Sequence, residues 1–527
     1  MHGRSGAAGD GASCAPASRR SANAHCSPRA PGVSGSRDSA TRQVGRRLRI
    51  HAALVLAVTS SGCTSLGQWW QNGLKVGPNY QEPGVAVASD WIDRDDPALK
   101  PGPAEDGNWW TAFNDPILNG LVDSARQQNL DLKTAGARIV EARAQRAISV
   151  GNLFPQSQRA LSADAHAQLS KNLNLPFPSS LNLWADGFNA SWELDFWGRY
   201  RRTIEAADAD LEAACESYGE TMVMLLSEVA TNYVQMRTFE LRLQFARENV
   251  EIQKRSLGIA EARFAEGTSN ELDMRQAKST LAQTEATIPP LESGRRQAAN
   301  QLCTLLGIPV TDLTRQLAPA PVPDAPPEIA VGIPADLVRR RPDVRRAERQ
   351  VAAQSAQIGI AEADFYPRLG VTGFIGYAAS DLRKVFDSSS FIGFILPTLQ
   401  WNILNYGRIV NNVRAQDASL TAASLQYQQT VLKAGREVED ALVQFIQAKQ
   451  QARHLEESVA QGQRAVELVV LQFEGGITDY NRVYTTQSQL VAQQDQLGTA
   501  RGNIALSLIQ VYKAIGGGWA AMSSGEP

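Results

Sequence analysis

An octapeptide, Trp-Glu-Leu-Asp-Phe-Trp-Gly-Arg at 192–199, returns as Trp-Asn-Ile-Leu-Asn-Tyr-Gly-Arg at 401–408. The offset of 209 residues also pairs Gly267 with Gly476 and Gly307 with Gly516. It carries the apolar column Val229, Met236, Leu243, Val250, Leu257, Phe264 onto Val438, Phe445, Ala452, Val459, Val466, Phe473. One structural unit is written twice, which constrains the fold more than any single motif. In each copy 68 residues separate the first glycine from the second. If helical, such a span runs roughly 100 Å, beyond any globular core. Helices of that length persist by coiling on one another. Ala448, Ala452, Leu455, Val459, Gly462, Val466, Val469 and Phe473 alternate steps of four and three, as a coiled seam requires. Pro289-Pro290 predicts a break in the return helix of the first unit, and the second unit has no proline there.

Before each long span lie two stretches of period two. In 184–196 one parity gives Trp184, Phe188, Ala190, Trp192, Leu194 and Phe196, the other Asn189, Ser191, Glu193 and Asp195. In 156–169 Leu161, Ala163, Ala165, Ala167 and Leu169 alternate with Gln156, Gln158, Ser162, Asp164, His166 and Gln168. In 368–377 Leu369, Val371, Ile375 and Tyr377 share a face, and in 398–403 Thr398, Gln400 and Asn402 oppose Leu399, Trp401 and Ile403. About ten alternating residues suit a membrane barrel strand. A half-buried soluble sheet alternates too; the polar parity, read as lining a wet lumen, favours the barrel. Four strands cannot close one, because membrane barrels start at about eight. Open edges are not tolerated in lipid, so several copies must each donate four.

Composition narrows the partners. A net charge of −2 provides no field for nucleic acid. Residues 1–50 are rich in Ser, Ala, Gly and Arg and read as disordered. Arg46-Arg47-Leu48-Arg49, an apolar stretch from Ile50 to Val58, and Thr59-Ser60-Ser61-Gly62-Cys63 then form an export signal. Cys63 after Ser-Gly has the layout of a bacterial lipobox, with Ser60 where an aliphatic is usual; diacylglycerol and palmitoyl groups on Cys63 are the only covalent additions expected, and no other cofactor. Forty residues before a signal are abnormal, so translation is expected to start near Val44. Cys215 and Cys303 lie too far apart in an antiparallel hairpin for a disulfide, and both read as buried small apolar residues.

The expected organisation follows. Residues 1–62 are extension and signal. Residues 63–115 are an extended leader with aromatics pinned on a folded body. Repeat 1 covers 116–306: a helix to Gly151, strands 156–169 and 182–197, and a helical hairpin 199–306. A Pro-rich, non-helical connector covers 307–334. Repeat 2 covers 335–516: a helix, strands 368–378 and 391–403, and a hairpin 407–515. A loose tail covers 517–527. The class is α+β membrane protein.

Four stretches resemble a known family: Val76-Gly77-Pro78-Asn79-Tyr80; Trp109-Trp110-Thr111-Ala112-Phe113-Asn114-Asp115-Pro116-Ile117-Leu118; Arg340-Arg341-Pro342-Asp343-Val344-Arg345-Arg346-Ala347-Glu348 with Phe365-Tyr366-Pro367; and the duplicated Trp…Gly-Arg element. Over about 63–518 the chain resembles the TolC-type outer-membrane efflux proteins of the OprM/NodT lipoprotein branch. The resemblance implies a homotrimer whose twelve strands form one barrel in outer-membrane lipid and whose twelve helices continue it as a periplasmic tunnel. Its partners are a periplasmic adaptor and an inner-membrane pump of the resistance-nodulation-division type. It implies no catalysis.

The resemblance also assigns residues. Arg263, Phe264, Glu266, Gly267 and Thr268, with Phe473, Gly475 and Gly476, are the adaptor-docking tips. Asp273 matches the acid of the family's gate, whereas its basic partner falls on Thr478 and two ring acids fall on Arg482 and Thr485. Asp479 is a substitute charge. Trp192, Gly198 and Arg199, with Trp401, Gly407 and Arg408, are seams where strand becomes helix. The basic run 339–346 reads as a solvated helix start with Pro342 in its first turn.

Two rivals remain. A type I protein-secretion duct has the same architecture. A periplasmic coiled-coil adaptor has one hairpin rather than two. An enzyme is disfavoured: after Cys63 the histidines are His166 and His454, with no zinc set or nucleophile motif.

Overall fold

The structure, a computed structural model, describes residues 66–100, 102, 107–168, 180–335 and 340–519. The expectations for 1–62, Cys63 and Leu169 lie outside these residues.

A short helix α1 (Leu66–Gln71) opens the leader, which carries the two-residue strand β1 (Leu99–Lys100) and a 3₁₀ turn at Trp109–Phe113. Trp91, Trp109, Trp110 and Phe113 are buried, but Trp70 is exposed rather than pinned. Helices α2 (Pro116–Gln128) and α3 (Leu130–Gly151) follow. The single helix expected over 116–151 is therefore two. Asn129 separates them: its side-chain oxygen accepts from Leu132 N, and its amide donates to Leu305 O at 2.9 Å. Its backbone turns out of helical geometry at ψ 133°, so Asn129 is the C-cap of α2 and the N-cap of α3.

Strands β2 (Ser157–Gln168) and β3 (Ser180–Leu194) lead into α4 (Arg199–Ala265), a 67-residue helix. Its return is α5 (Glu271–Glu285) and α6 (Ile288–Leu305), divided where Pro289-Pro290 enter the first turn of α6. The connector is not devoid of structure. It holds a four-residue helix α7 (Leu313–Gln316) and β4 (Ile329–Ala330), which pairs in parallel with β1. The leader's backbone thus satisfies the connector's.

The second unit comprises α8 (Pro342–Ala363), β5 (Arg368–Ala379), β6 (Phe391–Gln400), α9 (Arg408–Glu474) and α10 (Tyr480–Ala514). Helix α9 also has 67 residues, and α10 is unbroken over 35. Among the described residues no helix is long and apolar enough to cross a membrane. The strands form one antiparallel sheet in the order β2-β3-β5-β6.

The register corrects one expectation. Ala160 lies opposite Phe188, and Asp164 opposite Trp184. Directly paired residues share a face, so the polar parity of β2 joins the aromatic parity of β3 rather than a common polar face. The alternation of β3 is clean only from 188 to 194; towards the far end Asp186 and Asn182 belong to the aromatic parity. There His166 bonds Asn182 at 2.9 Å and lies 3.0 Å from Asp164.

The main core gathers where leader, hairpins and connector meet. The Trp109 ring stacks on Tyr512 at 5.3 Å. Asn114 turns the chain at φ 50°, and Asp115 caps α2, accepting from Ile117 N, Leu118 N and, at 2.6 Å, Tyr233 Oη. The Trp-Trp…Asn-Asp-Pro run is thus a buried aromatic pair followed by a helix start. Cys303 is buried in this core, whereas Cys215 is only half-buried. The tail is packed as far as Trp519, which lies over Gly219 and meets Tyr218 edge-on at 5.9 Å.

The basic run is not a solvated start. Arg341 is 7% exposed. Its guanidinium bonds both carboxylate oxygens of Asp343, Glu437 at 2.7 Å and Ala514 O at 2.7 Å. Arg345, Arg346 and Arg349 pair with Glu216, Glu220 and Glu212 of α4 at 2.8, 3.2 and 2.8 Å. Four-residue spacing of the glutamates on α4, met by arginines one and three residues apart on α8, aligns these charges into an interhelical ladder.

Candidate functional site: hairpin tips and strand–helix seams

Each long helix begins at a glycine with φ 81°, Gly198 for α4 and Gly407 for α9. Immediately before it, the paired tryptophans do the same work. Trp192 donates its indole N–H to Leu153 O at 3.0 Å, and Trp401 donates to Phe365 O at 2.9 Å. Each pins the end of one strand to the segment that opens its neighbour. The seams differ in their cover. Arg199 lies 3.7 Å from Asp364, and Trp69 of α1 rests 5.2 Å from Phe196 and 5.6 Å from Trp197. Among the described residues the Arg408 guanidinium donates to Asn405 O alone, and Tyr406 is bare.

The leader reaches the first seam through arginines that the sequence reading missed. Arg201 donates to Gly73 O, Leu74 O and Asp195. Arg202, itself buried, donates to Val76 O at 3.0 Å and Gly77 O at 2.9 Å. Tyr80 donates to Glu348 at 2.8 Å. The Val-Gly-Pro-Asn-Tyr run is the segment these groups hold. Its receptors escaped notice because an Arg pair opening a helix reads as solvated.

At the other end both tips close by one geometry. Gly267 N bonds Phe264 O and Thr268 N bonds Arg263 O; Gly476 N bonds Phe473 O and Ile477 N bonds Gln472 O. This is a helix-ending motif with a left-handed residue, φ 70° at Gly267 and 76° at Gly476, where only glycine is free of strain. Gly475 ends α9 in right-handed geometry. Phe264, Glu266 and Thr268 are exposed, and Ile477 is 79% exposed.

Phe473 is not a surface residue. It is 1% exposed, meets Tyr480 edge-on at 5.6 Å, and packs with Ala260, Ala277, Val469 and Val483. Burial pushes the Tyr480 phenol above its ordinary range. Tyr480 was legible only in retrospect. The column Tyr480, Val483, Gln487, Leu490, Gln494, Leu497 is buried at heptad spacing, but two glutamines hide it from an apolar count.

The residues assigned to the gate sit at helix starts. Asn270 caps α5 by accepting from Asp273 N at 2.9 Å, and the Asp273 carboxylate accepts from Ser269 Oγ at 2.6 Å. Asp479 caps α10 by accepting from Arg482 N at 3.2 Å, and Thr485 Oγ1 donates to Asn481 O. Thr478 is half-buried and the Arg482 side chain exposed. Among the described residues no ion pair joins Asp273 or Asp479 to Arg482. The structure does bring together Arg263, Phe473 and Gly476, from opposite hairpins.

Comparison with known proteins gives the geometry a context. Residues 121–308 and 333–517 match the family model described as outer membrane efflux protein. Nodulation protein T of Rhizobium leguminosarum bv. trifolii is 30% identical over 455 residues, covering 85% of this chain and 95% of that protein. The pyoverdine export outer membrane protein OpmQ of Pseudomonas putida is 30% identical over 451 residues, 84% of this chain and 94% of its own length. Among solved structures, the outer-membrane channel OprN superposes with a TM-score of 0.80 at 30% identity, over 84% of this chain and 99% of that one. CusC superposes with a TM-score of 0.71 at 26% identity, over 84% of this chain and 100% of that one. The chain belongs to the outer membrane efflux protein family and has the TolC-like channel fold.

Proposed function

We propose that the chain acts as a homotrimer, anchored in the outer membrane by lipid on Cys63, and forms the passive exit duct of a tripartite efflux assembly for small toxic compounds or drugs. The observation that carries this reading is the open sheet. Strands β2 and β6 are its two edges, with no partner among the described residues. Pairing β6 of one copy with β2 of the next removes every edge, and three copies supply twelve strands. The ten residues of β6 extend roughly 33 Å, enough for the hydrocarbon layer.

The leader supports the anchor. Trp69 rests on the first seam, and six residues of chain reach about 20 Å at most. That suffices to bring acyl groups on Cys63 to the membrane surface. The exposed apolar tip residues Phe264, Leu272, Leu471 and Ile477 suit docking by the helical hairpins of a periplasmic adaptor. An inner-membrane pump of the resistance-nodulation-division type supplies energy and selects cargo, and this chain catalyses nothing. Relatives named for toluene and cation efflux favour this reading over a polypeptide duct.

Fractionation and planar-bilayer recording test the proposal. The protein is expected in outer-membrane fractions as a heat-modifiable trimer that conducts ions. Cys63→Ala is expected to abolish acylation, read by intact mass. A soluble periplasmic monomer would sink the reading.

A second expectation concerns block. With Arg482 and Thr485 where the resemblance places ring carboxylates, Asp273 and Asp479 are the acids left near the entrance, fewer than the ring that binds multivalent cations. Hexamminecobalt is expected to block weakly. Tight block at micromolar concentration contradicts it.

A further inference from the structure

We infer that Arg263 is the latch between the two hairpin tips, standing in for the ion pair that Thr478 cannot make; the inference rests on the channel reading above. The matching position in the second unit is Gln472, so this arginine is not part of the repeat. Its guanidinium leaves its own helix. One N–H donates to Phe473 O at 2.5 Å, and the group lies 4.9 Å from the centre of the Phe473 ring. Gly476 lies beside the group: a Cβ there would stand in ordinary contact, 3.6 Å from the guanidinium nitrogen, so the glycine serves the turn's positive φ rather than the latch. Phe473 O belongs to the last turn of a 67-residue helix, where partial negative charge collects. A cation from the first hairpin therefore caps the long helix of the second.

What lies above the latch explains why one is needed. Apolar side chains join α9 to α10, with Val459 and Val466 packed against Leu490 and Leu497. The second hairpin is thus held together internally by burial. Its boundary with α4 carries a polar seam beside the apolar contacts of Ile252 and Ala260. Asn249 donates to Gln494 at 2.5 Å, and Gln487 donates to Ser256 at 2.8 Å. Between these pairs Gln253 is buried with neither amide atom bonded among the described residues. Hydrogen bonds of this kind are exchanged at little net cost, and an unsatisfied amide gains when the seam shifts. Towards the tip, the small side chains Ala260 and Ala277 offer Phe473 and Tyr480 a smooth socket. Higher on this boundary Arg242 of α4 forks onto Asp495 of α10 at 2.7 and 3.0 Å; at the tip Arg263 is the directional contact that holds the second hairpin against the first. Its release lets that hairpin move along the polar seam and widens the entrance.

The test uses full-length trimer in planar bilayers, with wild type, Arg263→Ala, Arg263→Lys, Phe473→Leu and the double variant Arg263→Ala/Phe473→Leu. Trimer migration and helical circular dichroism confirm that each variant is assembled. Arg263→Ala is expected to raise the open-to-closed ratio on the order of tenfold, the scale of a charge-assisted hydrogen bond and a cation–π contact together. Arg263→Lys keeps the charge but not the planar group and is expected to fall between. Phe473→Leu is expected to raise the ratio less, and the double variant no further than Arg263→Ala. Unchanged gating in assembled Arg263→Ala overturns the latch, as does full additivity of the two substitutions. A wild type that does not conduct overturns instead the channel reading on which the latch rests.

Discussion

Replacing Arg341 with alanine is expected to cost about 3–5 kcal/mol of stability, the scale for breaking a buried ion pair by removing one partner. The guanidinium satisfies three acceptors at once: the Asp343 carboxylate, Glu437 of α9, and the last carbonyl of α10 at Ala514. Without it the half-buried Asp343 carboxylate and a helix end lose their partner, and Glu437 is left with Lys433 at 3.7 Å. Arg341→Lys is expected to recover only part, because an ammonium cannot span the same fork. Arg464→Ala removes an exposed pair with Glu467 and is expected to stay within about 0.5 kcal/mol. Thermal or denaturant unfolding of the purified protein reads all three. A loss below about 1 kcal/mol in Arg341→Ala would show that the cluster is not a structural joint.

The same cluster sets an acid limit. Burial alone would raise the Asp343 carboxyl, but hydrogen bonding and attraction to Arg341 outweigh it and hold the group below its ordinary value. A depressed carboxylate contributes stability that is complete above its unfolded value of about 3.9 and is lost as pH falls through the lower folded value. Acid unfolding is expected to move to higher pH in Asp343→Asn.

Gly77→Ala is the second large effect, although it adds one methyl group. A Cβ there would stand 2.4 Å from Gly359 Cα, and the residue has φ +84°. Backbone strain of this kind costs about 1–3 kcal/mol, and overpacking adds a comparable amount, about 1–3 kcal/mol. Yielding means lifting the leader off α8, which also breaks the bonds from Arg202 to Val76 O and Gly77 O. Limited proteolysis is expected to cut the variant between residues 72 and 90 well before wild type. Equal protection of the two leaders would refute the argument.

How far the molecule was readable depended on whether a signal was local. The long helices were readable because heptad burial leaves a periodic trace at Val459, Val466 and Phe473. Strand positions followed from alternation, but the shared face of β2 and β3 did not. A face is fixed by register, and register by pairs such as Ala160 with Phe188 that no single strand records. Arg341 was misread because a charge beside proline and aspartate is usually wet; its partners, Glu437 and Ala514, are distant in sequence. Trp519 was misread because its socket is the bare backbone of Gly219, and an absent side chain leaves no pattern. At the tip, glycine marked both turns, yet Phe473 was taken for a surface residue. The same apolar column that identified the coil had placed it inside.

The two hairpins match in reach but not in stiffness. The return limb of the first is jointed between Glu285 and Ile288, whereas the return limb of the second is a single rod from Tyr480 to Ala514. Under a bending load a jointed limb yields at its joint and a continuous one spreads the curvature along its length. A tunnel built from these limbs in alternation has soft and rigid staves side by side. In such a tunnel a bending load is taken up at the joints of one set and along the length of the other.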